Sequence, residues 1–99
     1  MLFRSVDVGV GGSAAQKIAE KLKTISKNRQ VIVITHLAQI ASFADNHYLI
    51  KKQYEQGRTF TNVTPLNYEG RINELARIIG GVNITEAALA HAKAMIDEN

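Results

Sequence analysis

Cysteine is absent from the 99 residues, which excludes a disulfide scaffold, a thiolate metal site and a cysteine nucleophile. Proline occurs once, at Pro65, and tryptophan not at all, and no low-complexity linker or internal repeat divides the chain. No apolar run approaches the ~18 residues of a membrane-spanning helix, and no basic segment leads into a long apolar stretch at the start, so no membrane partner and no secretory route are expected. Charge of one sign is also scarce. Twelve Lys and Arg face nine Asp and Glu, a net charge of +3 that is too small and too dispersed to argue for nucleic acid. The G-x-x-x-x-G-K-[ST] signature of a phosphate-cradling loop is missing throughout.

Apolar residues make up 45% of the sequence, an ordinary globular share, and the length suits one small domain or a piece of a larger one. After a short apolar start, Gly9, Gly11 and Gly12 break the chain before a helix expected over Ser13 to Lys27, capped by Ser13 and striped by Ile18, Leu22 and Ile25. Gln30 to Thr35 contains Val31-Ile32-Val33-Ile34, four consecutive β-branched residues apolar on both faces, and predicts a strand buried between layers. A short helix with Leu37, Ile40, Ala41 and Ala44 inward follows. His47 to Lys52 and Thr59 to Thr64 predict two half-exposed strands turning at Gln56-Gly57, with Pro65 closing the second. Two helices complete the chain. The first spans Arg71 to Ile79 and stops at Gly80-Gly81. The second is capped by Thr85 and buries Ala88, Leu89, Ala92, Met95 and Ile96. The expected class is α/β: a βαβ core with parallel strands, a β-hairpin and two C-terminal helices.

Few residues suggest chemistry. Gly9 to Ala14 formally fits the dinucleotide pattern G-x-G-x-x-A, but charge interrupts the strand before it and no acid ends the next strand, so a plain strand-to-helix turn is expected. His36 directly follows the apolar strand, at the end where parallel sheets gather ligands, and its imidazole can donate to a phosphate oxygen or position a water. Asp45 and His47 invite a metal-site reading, but their spacing matches no ligand pattern, and His47 and His91 are expected to be structural. Lys51, Lys52, Arg58, Arg71 and Arg77 are scattered over strands and a helix and are expected to form solvated surface. No metal-binding residue is assigned.

Three stretches carry a resemblance. Val6-Asp7-Val8-Gly9-Val10-Gly11-Gly12, the strand and turn from Val31 to Ala41, and a tail built on Gly57-Arg58-Thr59, Glu74 to Arg77 and Ile84 to Ala92 resemble the C-terminal part of the RecN-type repair ATPases. These are ABC-type heads related to the SMC proteins. The I-T-H strand end is shared by many such ATPases, whereas V-D-V-G-V-G-G with I-T-E-A-A-L-A-H-A is far more specific.

The resemblance implies a partial ABC-ATPase head lobe acting in DNA double-strand break repair and recombination. It makes His36 the catalytic switch histidine and assigns Asp7, Val8, Gly9, Val10 and Gly11 to the D-loop at the interface between two heads. It further implies ATP and Mg²⁺ as cofactors of the complete protein, a second head and DNA as partners, and a cytoplasmic, nucleoid-associated location. The family places an aspartate and a glutamate immediately before Val6, where this chain has Arg4 and Ser5. Residues 1–5 are accordingly read as a truncation scar and residues 6–99 as the C-terminal portion of the head, inactive alone. The alternative is a small non-enzymatic α/β interaction module without nucleotide chemistry.

Overall fold

The structure, a computed structural model, describes residues 2–4 and 12–99. The elements follow the expected order: β1 (Leu2–Arg4), α1 (Gly12–Ser26), β2 (Ile32–Ile34), α2 (Ala38–Ala41), β3 (Tyr48–Glu55), β4 (Arg58–Pro65), α3 (Tyr68–Gly80) and α4 (Glu86–Glu98). Strands β1 and β2 pair in parallel, with Leu2 opposite Ile32 and Arg4 opposite Ile34. Parallel neighbours need a crossover, and α1 supplies it. Among the described residues no helix is long and apolar enough to cross a membrane.

Two small cores hold the helices. Ala15, Ala19 and Leu22 of α1 pack with Ile40, and Ile18, Val31, Val33, Leu37 and Phe43 close around them. The buried line of α1 therefore runs through alanines, with Leu22 shared and Ile18 and Ile25 at its margin. Ser13 falls inside α1, which begins at Gly12, so the expected cap is not there. The second core joins Leu75 and Ala76 of α3 to Ala88, Ala92 and Ile96 of α4, with Ala38 and Ala41 of α2 on top. The short helix α2 thus contributes to both cores, Ile40 to one and Ala38 and Ala41 to the other.

The strand expected to be buried on both faces is not. Val33 is half-buried against the α1 core, but Ile32 and Ile34 are 53% and 40% exposed. A parallel strand is buried only when layers cover both faces, and no described element covers the second one.

The hairpin β3–β4 turns on Gln56 (φ 49°) and Gly57 (φ 75°), the two left-handed positions of a tight two-residue turn. Its strands run eight residues each and are exposed almost throughout, Leu49 alone being half-buried, rather than half-exposed as the pattern suggested. Pro65 ends β4 opposite Tyr48, where a missing N–H does no harm. Helix α3 starts earlier than the expected Arg71, because the Asn67 side chain accepts from Gly70 N at 2.7 Å and caps an additional turn. Thr85 caps α4 as expected, accepting from Ala88 N at 3.1 Å. Gly81 takes φ 72° past the end of α3, a conformation that suits glycine.

Candidate functional site

The chain leaves β1 and β2 at the same end, since the strands are parallel and Arg4 stands in register with Ile34. Thr35 and His36 follow at that end. The Thr35 hydroxyl accepts from Leu37 N at 3.1 Å, a short bridge across His36. Leu37 has extended backbone, and its carbonyl accepts from Ile40 N at 3.2 Å and Ala41 N at 3.1 Å, which opens α2. His36 is therefore solvent-exposed on a loop whose two neighbours are tied to each other and to the next helix. Exposure at the carboxyl end of a parallel pair is what a histidine needs to reach a ligand there.

Asp7, Val8, Gly9, Val10 and Gly11 lie outside the described residues. Among the described residues no group of three or more His, Asp or Glu is placed to hold a metal ion. Asp45 instead pairs with Lys23 of α1. His91 is exposed on α4.

The segment after α2 is held from several sides. Lys23 Nζ donates to Phe43 O at 3.2 Å. Ser42, nearly fully buried, donates to Gln39 O at 3.0 Å and accepts from Asn99 Nδ2 at 3.2 Å. Arg71 of α3 directs its Nη2 to the carbonyl oxygens of Ala41 and Ser42, both at 3.4 Å. The expectation of a solvated Arg71 is therefore corrected: the side chain is half-buried and turned toward α2. A sequence signal existed. Arg71 stands four and seven residues before Leu75 and Ile78, on the inward face of α3. Lys51, Lys52, Arg58 and Arg77 do lie on the surface, Arg77 paired with Glu74.

His47 closes the root of the hairpin, its carbonyl accepting from Leu66 N at 2.8 Å. Its Nδ1 and the Nε of Arg71 are both buried without a hydrogen-bond partner. Burial, and then the nearby Arg71 charge, hold the His47 pKa below the ordinary histidine value, with Glu74 acting weakly in the opposite sense.

No family model matches the chain. Individual relatives do. The sequence is 47% identical over 96 residues to the DNA repair protein RecN of Deinococcus radiodurans, a match covering 97% of this chain and 17% of that protein. RecN of Bacillus subtilis is 43% identical over 98 residues, covering 99% of this chain and 17% of the relative. RecN of Treponema pallidum is 38% identical, again over 97% of this chain and 17% of its own length. The chain thus spans about a sixth of the curated relatives it matches. Among solved structures, one described under ATP-driven dimerization and DNA-stimulated activation of SMC ATPases superposes with a TM-score of 0.64 at 26% identity, over 80% of this chain and 47% of the other.

Proposed function

Since sequence places this chain in the RecN family, we propose that it is the C-terminal part of an SMC-related repair ATPase head and contributes a switch histidine, His36, to a nucleotide site formed between two heads. The observation carrying this is the position of His36, exposed one residue beyond Thr35 at the carboxyl end of a parallel strand pair. There the imidazole is solvent-exposed, and its N–H can donate to charge developing on a phosphoryl oxygen, an interaction that acts on the transition state. Asp7, Val8, Gly9, Val10 and Gly11 are proposed to cross to the second head, where glycines permit close backbone approach. A second head of the same kind and DNA are the proposed partners, in line with the SMC ATPase similarity.

The chain alone does not fit Mg²⁺ or a nucleotide triphosphate. It has no phosphate-cradling sequence, and Arg4 and Ser5 stand where the resemblance calls for the family's two acids. Metal, phosphate cradle and attacking water are accordingly assigned to no residue here. The same two residues favour a second reading, a non-enzymatic α/β module that keeps the fold and has lost nucleotide chemistry.

The test is a chimera: a full-length RecN-type ATPase in which residues 6–99 of this chain replace the corresponding segment, so that the host keeps its own acids. His36→Ala should lower kcat by on the order of a hundredfold or more while the apparent affinity for ATP changes little. An unchanged turnover number removes His36 from the mechanism and favours the second reading.

A further inference from the structure

We infer that Arg71 is a positioning residue for His36, acting through α2. The inference rests on the reading of His36 given above. A continuous hydrogen-bonded path joins the two residues. Arg71 Nη2 donates to Ala41 O, Ala41 N donates to Leu37 O, and Leu37 N donates to Thr35 Oγ1, so that the path ends on the residues flanking His36 on both sides. Ala41 holds both ends of this relay at once, Arg71 through its carbonyl and Leu37 through its amide.

The chemistry explains why a guanidinium is needed there. The last carbonyls of a helix have no intrahelical partners, and α2 is only four residues long, too short to be stable by itself. Ala41 O also accepts from Ala44 N at 3.1 Å, and the permanently charged Arg71 Nη2 adds a donor to it and to the next carbonyl, Ser42 O. Arg71 is also anchored firmly enough to transmit position. Its helix carries the buried Leu75 one turn on, and α2 packs against that same core through Ala38 and Ala41. Lys23 and Asn99 hold the following residues, Phe43 and Ser42, but neither touches a carbonyl of α2 itself. Arg71 is the side chain by which α3 fixes the α2 end of the loop bearing His36.

The chimera decides this with four variants: His36→Ala, Arg71→Met, Arg71→Lys and the double change His36→Ala plus Arg71→Met. Misplacing a catalytic group by about an ångström costs on the order of 10–100-fold, so Arg71→Met should lower kcat by that factor with KM for ATP within about twofold. Arg71→Lys, which keeps the charge on a shorter side chain, should fall between Met and the parent. The double variant should be no slower than His36→Ala, because a residue acting through His36 has nothing left to position. A merely structural Arg71 would instead slow the His36→Ala protein further, and that result overturns the inference. So does a parental kcat for Arg71→Met beside a slow His36→Ala, which leaves the role of His36 standing. If His36→Ala itself is unimpaired, both fall together. Should Arg71→Met be insoluble, Arg71→Lys alone and combined with His36→Ala makes the same comparison: a loss that vanishes in the double variant supports the inference, and a parental or additive result overturns it.

Discussion

The hydroxyl of Tyr68 donates to the carboxylate of Asp97 at 2.6 Å, linking the first turn of α3 to the last turn of α4. This hydrogen bond raises the Tyr68 pKa above the ordinary tyrosine value by holding the proton on the phenol, and the negative charge of Asp97 adds in the same sense. The bond sits on the surface, at the rim of the helical pair. Beneath it the pair is held by Leu75, which is fully buried, against Ala88, Ala92 and Ile96. The same pair supports α2, and through it the loop of His36.

Leu75→Ala should destabilise the chain by about 2–5 kcal/mol, the usual range for a fully buried leucine that leaves a cavity. Ile34→Thr, on the uncovered face of β2, should change stability by no more than about 0.5 kcal/mol. Urea melts of the two variants measure both. A large loss for Ile34→Thr would mean that the second face of β2 is covered after all.

Asn67→Ala and Thr85→Ala each remove a side-chain acceptor from a helix start. Each should cost about 1 kcal/mol. Because the two caps stand on different helices and share no partner, their effects should add in the double variant. Thermal melts of the three proteins test this.

His47 makes stability depend on pH in a definite sense. Its folded pKa lies below the unfolded value of 6.5, so the unfolded chain binds the extra proton first. Stability is therefore fully present above pH 6.5, begins to fall as pH drops below it, and stops falling once pH is below the folded pKa. His47→Gln, which cannot titrate, should flatten the midpoint of thermal unfolding between pH 7.5 and pH 5.5 relative to the parent. An equally steep decline in the variant would assign the acid sensitivity elsewhere.

Arg4 and Ser5 should make a complete protein that carries them inactive. A fixed positive charge where a cation belongs costs on the order of several kcal/mol in a partly dry site, and serine is too weak a base to activate water near neutral pH. Arg4→Asp plus Ser5→Glu, made in a full-length RecN-type protein, should restore Mg²⁺-dependent hydrolysis, and either change alone should recover much less. Robust hydrolysis with Arg4 and Ser5 in place would show that these positions are misaligned with the family's acids. Whether residues 1–5 are a scar is decided separately, by the genomic sequence upstream; in the fold, Leu2–Arg4 supply the strand that pairs with β2.

The amino-acid sequence by itself determined the order of the elements, the turn at Gln56-Gly57, the Thr85 cap and the inward stripe of α4 through Ala88, Ala92 and Ile96. These follow from local geometry: a helix repeats every 3.6 residues, a strand every two, and a tight turn needs left-handed positions. The sequence also placed His36 just past a strand, and it stands two residues beyond Ile34, where β2 ends. Tertiary structure alone decided the rest. Ile32 and Ile34 have the same apolar pattern as Val31 and Val33, and only the presence of α1 on one side separates covered from uncovered. Ala15 and Ala19 rather than Ile25 line the α1 core because that face of α1 is the one that meets Ile40 of α2. Asn67 became a cap only because the chain leaving β4 turns there. Arg71 became a bond to α2 rather than solvated charge because helix α3 docks with that face against carbonyls thirty residues earlier in the chain. The spacing of Arg71 to Leu75 and Ile78 shows that it faces inward, but which carbonyls it meets is set by packing.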